Sequence, residues 1–190
     1  MITPVRPADT RPLVEIHTDG ACRGNPGPGG WGVVLRHGSS ARHLSGFAPH
    51  TTNNRMEMLA AIHALLNLKR SCRVRLVTDS NYVKDGMTQW IHSWKKRQWR
   101  KKDGGAVRNA DLWQKLDHLA GQHAVQWQWI KGHAGHPDNE LADQLARQAI
   151  DKGLKGELPS DPDGLSPEPQ QPEDTSSHTD HHTQEGGIHV

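Results

Sequence analysis

The chain has 190 residues, 33% of them hydrophobic, a length that suits one domain with a small surplus. Mean hydropathy is −0.80, and no run approaches the roughly 18 apolar residues of a membrane span. All 23 Lys and Arg lie at or before Lys155, so that part carries +10 and the eight acids beyond it carry −8. A body this basic fits a polyanionic partner and a merely solvated basic surface about equally on charge alone.

Residues 1–11, with Pro4 and Pro7, show no periodicity and read as a flexible leader. The alternating, β-branched run 13–18 predicts a first strand. The Gly- and Pro-rich stretch 25–30 reads as a loop, 31–36 as a second strand and 41–47 as a third, together an antiparallel meander. Asn53 or Asn54 is a suitable N-cap for a helix to about residue 68. Residues 73–78 form a fourth strand; Ser80 caps a short helix over 81–86, and a second short helix covers 88–96. Asn109 caps a helix over 110–120, the strictly alternating 125–130 is a fifth strand, and a last helix runs over 138–150. The tail from 156 to 190 has five prolines, eight acids and almost no large apolar residues, too little to offset chain entropy, so it reads as disordered. The order predicts an α/β domain over 12–152. Its sheet is mixed and five-stranded, with three antiparallel strands followed by parallel crossovers and helices on both faces.

Four acids stand where such a sheet binds ligands: Asp19 ends the first strand, Glu57 opens the first helix, Asp79 ends the fourth strand and Asp143 lies in the first half of the last helix. Each alone fits a cap or a first-turn charge at least as well. Crowded together they would repel, and a divalent cation resolves the repulsion. Carboxylate oxygens without a Cys or His cluster favour Mg2+ or Mn2+, and two such ions about 4 Å apart serve phosphodiester hydrolysis. The two cysteines, Cys22 and Cys72, form no CxxC, which argues against a disulfide scaffold and structural zinc. Residues 1–10 hold no apolar secretory core, so a cytoplasmic, reduced setting is expected.

His133 lies between Gly132 and Gly135 in a loop that can bring an imidazole beside a metal site. Residues 90–102 hold Trp90, Trp94 and Trp99 among six cations, including Lys95 and Lys96. Cations bind phosphates and indoles stack on sugars or bases. Packing of the Trp residues onto a neighbouring helix is the competing reading, and both fit this segment. Trp113, Trp127 and Trp129 are assigned to the core or its rim. The amides of Asn25, Asn53, Asn54 and Asn81 suit a shallow minor groove, and equally suit turn and cap chemistry.

Four stretches in order, residues 18–32, 51–57, 78–83 and 131–143, resemble the motifs of bacterial type 1 ribonuclease H, and 90–102 resembles that family's basic handle. The similarity covers roughly residues 12 to 150. It implies the ribonuclease H-like fold and an endonuclease that cuts the RNA strand of RNA–DNA hybrids, leaving 3′-hydroxyl and 5′-phosphate ends. It implies that Asp19 bridges two metal ions, that Asp143 completes the water-activating site and Glu57 and Asp79 the leaving-group site, and that His133 assists proton transfer or product release. It also implies that Cys22, Asn25, Asn53, Asn54 and Asn81 contact the hybrid minor groove, that Thr52 and Asn109 hold a DNA phosphate, and that Trp90, with Lys95, Lys96 and Trp99 in the handle, lies against DNA. Two departures stand out: Asn81 replaces the Gln of many bacterial relatives, and the acidic tail has no counterpart in the family pattern. A 3′ exonuclease on this fold would carry a second acid after Asp19, where this chain has Gly20-Ala21. A non-catalytic hybrid-binding module is the remaining rival. A monomer without membrane attachment is expected. The tail is expected to compete with nucleic acid for the basic body.

Overall fold

The computed structural model describes residues 7–165. Five strands, β1 (Leu13–Cys22), β2 (Gly27–His37), β3 (Ser40–Thr51), β4 (Arg73–Thr78) and β5 (Ala124–Trp129), form one sheet in the order β3-β2-β1-β4-β5. β1–β2 and β2–β3 are antiparallel, and β1–β4 and β4–β5 are parallel. The helices are α1 (Asn53–Leu66), α2 (Asn81–Asp85), α3 (Ile91–Lys96), α4 (Ala110–Ala120) and α5 (Pro137–Leu154), and a single π-helical turn, Gly86–Trp90, joins α2 to α3. No helix among the described residues is long and apolar enough to cross a membrane. The sheet is mixed and five-stranded as predicted, with three antiparallel strands followed by parallel crossovers.

α1 is buried on nearly every side, from Arg55 through Ile62 and at Ala64 and Leu65, because it lies between the sheet and α4. That is why its sequence is apolar all round rather than striped. α5 packs on β2, β3 and β1. It approaches β2 so closely that a Cβ at Gly30 or Gly32 would collide with the carbonyl oxygens of Ala146 or Ala142.

This contact corrects the loop expected over 25–30. β2 begins at Gly27 and pairs with β3 from Thr51 onward, through a bulge between Gly27 and Gly29. Of the glycines that read as turn residues, Gly30 admits the α5 backbone against the strand, whereas Gly27 lies against the Arg23 carbonyl and Gly29 against the Thr51 and Met56 side chains. The N-cap of α1 is Thr52, whose Oγ1 accepts from Arg55 N at 3.2 Å, rather than Asn53 or Asn54. Ser80 does cap α2, accepting from Val83 N at 3.2 Å. Asn109 is the N-cap of α4, its carbonyl accepting from Trp113 N at 2.9 Å, but it sits in the left-handed region at φ 58° and its side chain is engaged elsewhere rather than in a capping bond.

The expected start of the disordered tail also moves. Residues 160–164 pack on the body: Ser160 bridges Phe47, and Gly164 is buried. The remainder of that expectation, residues 166–190, lies outside the described residues, as do residues 1–6 of the leader. At the other end of the chain, Arg73 N donates to Pro12 O at 2.8 Å and Arg73 Nε to Arg11 O at 2.9 Å, so residues 11 and 12 are tied to β4.

Candidate active site and nucleic-acid interface

Parallel pairing of β1 with β4 sets Thr18 opposite Thr78, so Asp19 and Asp79 emerge side by side one residue further on. The first turns of α1 cross this edge, where Gly20 makes room: a Cβ there would stand 2.5 Å from Glu57 N. Asp19, Glu57 and Asp79 each place a carboxylate oxygen within 4.8 Å of the other two. Asp19 and Glu57 are both only 5% exposed.

Burial first, and then the nearby Asp79 and Asp143 carboxylates, push Asp19 up to about 7, although a Glu57 hydrogen bond and the Gly20 N–H at 2.9 Å favour its charge. Burial, then Asp19 and Asp79, raise Glu57 well above the usual carboxylate range. Glu57 Oε2 is buried without a hydrogen-bond partner. Crowded hard oxygens that resist ionisation, one of them orphaned, fit a divalent cation.

Asp143 stands on α5 outside this trio, close enough to raise Asp19, with its carboxylate paired to Arg147 at 2.8 Å. The loop before α5 lies directly on Asp79, for a Cβ at Gly132 would be 2.6 Å from Asp79 Oδ2. His133, next in that loop, is exposed and takes a positive φ of 56°. Trp129, 40% exposed at the rim, donates from Nε1 to Asp79 O at 2.9 Å.

Several predicted contact residues gather beside the acids. The Cys22 thiol donates to Gly24 O at 2.8 Å, and burial raises its pKa. Asn25 Oδ1 accepts from Asn53 N at 3.2 Å, which ties the β1–β2 connection to the start of α1, where Thr52 and Asn54 are half-buried. Asn81 is exposed at the start of α2, two residues after Asp79. Asn109 is held from two sides, accepting at Oδ1 from Arg55 Nη1 at 3.2 Å and donating from Nδ2 to the Tyr82 hydroxyl at 3.0 Å.

In the handle, packing and exposure coexist. Trp94 stacks at a tilt on fully buried Trp113 with centroids 5.4 Å apart, and Trp99 is half-buried. Trp90 is 37% exposed and packs at 5.8 Å against both Tyr82 and Trp94. Lys96 is exposed, whereas Lys95 pairs with Asp117 at 3.1 Å. Trp127 is half-buried against the core.

Sequence reasoning missed Arg55, a cation 1% exposed that donates to Asn109, Asp111 and the Asp163 carbonyl. Its signal was a lone Arg or Lys inside a helix that is mostly apolar. It also missed a second trio, Glu15, His17 and Asp138. There, however, Arg75 and Arg36 already neutralise the two carboxylates, at 2.8 and 2.6 Å.

Comparison with known proteins follows the same outline. The RNase H family model matches residues 11–151. A ribonuclease H of Bradyrhizobium sp. (strain ORS 278) is 59% identical over 139 residues, covering 73% of this chain and 90% of the relative. One of Methylococcus capsulatus is 55% identical over 150 residues, covering 79% and 97%. The crystal structure of LC9-RNase H1, a type 1 RNase H, superposes with a TM-score of 0.70 at 37% identity, over 83% of this chain and 81% of that one. LC11-RNase H1, solved in complex with an RNA/DNA hybrid, gives 0.57 at 28% identity, over 74% and 99%.

Proposed function

The chain belongs to the ribonuclease H family as a bacterial type 1 endonuclease, and from that premise we propose how its residues cut the RNA strand of an RNA–DNA hybrid. The observation that carries the reading is the trio of carboxylates at the β1–β4 edge, two of them buried and resisting ionisation. Two divalent ions, Mg2+ with Mn2+ as a substitute, would supply activation of the attacking water and stabilisation of the leaving oxygen when bound. Asp19 would hold both, Glu57 and Asp79 one, and Asp143 the other.

Water attacks phosphorus and the bond to the 3′ oxygen breaks, so the products carry a 5′-phosphate and a 3′-hydroxyl. His133, on its exposed loop beside Asp79, takes the water's proton or helps product depart. Cys22, Asn25, Asn53, Asn54 and Asn81 line the RNA side, where minor-groove base edges and 2′-hydroxyls are offered. Thr52 and Asn109 take a phosphate of the DNA strand, and Trp90, Lys95, Lys96 and Trp99 track that strand through the handle. DNA adopts the sugar pucker the phosphate pocket requires and RNA resists it, so duplex RNA binds without being cut. The catalytic body is residues 12–152.

The test is a cleavage assay on uniformly labelled hybrid with Mg2+, against Asp79→Asn and an all-RNA duplex as controls. Internal RNA cuts with the hybrid, absent from both controls, are expected, and they persist with a blocked 3′ end, as an endonuclease requires. Tight binding without cleavage by the unaltered chain would overturn the catalytic reading.

A further inference from the structure

After α5 ends, residues 160–164 run back across the body and are pinned there. Asp161 N donates to Phe47 O at 2.7 Å. The Asp161 carboxylate accepts from Trp31 Nε1 at 3.2 Å and from Asp163 N at 3.1 Å, and lies 2.7 Å from His63 Nε2. His63 stacks on Trp31 with ring centroids 4.2 Å apart. Burial opposes ionisation of Asp161, but the His63 and Asp163 hydrogen bonds hold it below the usual carboxylate range. Gly164 fits where a Cβ would meet Ala48 and Met56.

Between these pins Asp163 pairs its carboxylate with Lys115 at 2.5 Å, and its backbone reaches a group tied to Asn109. The carbonyl of Asp163 accepts from Arg55 Nη2 at 2.7 Å. The same guanidinium donates to Asp111 at 3.1 and 2.8 Å and to Asn109 at 3.2 Å. Each N–H of a buried guanidinium left without an acceptor costs stability, and Arg55 Nε already lacks one. Losing the strap carbonyl would strand a second donor and open the site to water, which then competes for the bonds that orient Asn109. That residue is held in the left-handed region at φ 58°, with its amide shared between Arg55 and Tyr82.

We propose that the strap, residues 160–164, positions the Asn109 amide through Arg55 to receive a phosphate of the DNA strand. This rests on the reading above that Thr52 and Asn109 form the phosphate pocket. The strap itself touches no substrate; its residues are positioning residues, and they extend the support of the phosphate pocket beyond the end of α5.

The experiment compares the full chain with Asp161→Ala, which removes the acceptor for three donors at once. Both are assayed below their melting temperatures on hybrids in which one DNA phosphate at a time is a methylphosphonate. On unmodified hybrid, Asp161→Ala raises KM about fivefold and leaves kcat within about twofold. In the modified series the full chain loses affinity at one DNA position, and Asp161→Ala loses much less there, because the two changes remove the same contact. His63→Ala, which removes a single donor, gives the same comparison should Asp161→Ala fail to fold. An equal methylphosphonate penalty in full chain and variant overturns the proposal and leaves the pocket standing. No sensitive phosphate in the full chain overturns the pocket reading, and the proposal with it.

Discussion

Asp19 and Glu57 sit where their own charge is disfavoured, and this has a thermodynamic consequence. A free Asp carboxyl titrates near 3.8, whereas Asp19 titrates at about 7 in the fold. Between those values the folded state binds more protons than the unfolded, so stability falls as pH rises through that window and stays low above it. The lowered groups Asp111, Asp138 and Asp161 act in the opposite sense below the ordinary Asp value, and His123, lowered by burial, opposes the slope below 6.5, against the two raised carboxylates Asp19 and Glu57. In EDTA the melting temperature is therefore expected to drop between about pH 4 and 7. Asp19→Asn should flatten that slope and be more stable than the parent at pH 8 by on the order of 2 kcal/mol. Calorimetry across pH checks this, and a parent that gains stability from pH 5 to 8 would contradict it. Saturating Mg2+ should reverse the loss, by about 2.7 kcal/mol at a hundred times its Kd. Asp79 was legible because the end of β4 can be read from alternation; Asp19 was found at the end of the alternating run 13–18, but it does not end β1, which continues to Cys22 paired with β2. Arg55 was not legible, because nothing local in 53–66 says that Asp111 and a carbonyl 108 residues away will accept its hydrogen bonds.

At the scale of elements, alternation located β4 at residues 73–78 to the residue, since its pattern has no competing signal. The start of β2 was hidden because Gly and Pro carry the same letters for a turn and for close packing. That packing is testable. Gly32→Ala would force α5 away from β2, and with it Asp143 away from Asp19. A loss of about 1–3 kcal/mol in stability is expected, together with reduced kcat, read by denaturation and by single-turnover cleavage. Unchanged kcat would show that α5 can shift without disturbing Asp143. The handle combines its two readings by division of labour: Trp94 and Trp99 attach it and the cations face out. Lys96→Gln should weaken hybrid binding at all sequences and lower the salt slope by about 1. Lys95→Gln should do less, because Asp117 already claims that ammonium. Binding isotherms across salt concentrations separate the two.

On the scale of the whole molecule, the chain's charge is divided between a basic body and acids that follow it, and the strap marks where one passes into the other. Composition alone put that boundary at 156, because Pro and Asp read as solvated wherever they fall. What pins 160–164 is pairwise and distant: Asp161 meets His63 and Trp31 across 98 and 130 residues. A truncation meant to remove the acids beyond the strap and leave the strap intact must therefore stop after Leu165. It takes away Glu168, Glu173, Asp174, Asp180 and Glu185 and leaves a chain of net charge +7 in place of +2. Acids tethered to the body are present at high effective concentration and compete with phosphates for the same cations. The chain ending at Leu165 is expected to bind hybrid more tightly than the full chain at low salt. The advantage should shrink as the Debye length falls from about 30 Å at 0.01 M to about 8 Å at 0.15 M. Chains ending at Gly156 would confound this by removing the strap as well, raising KM by a different route. Equal affinity of the 165-residue and full chains at low salt would show that the acids do not reach the cations that hold nucleic acid.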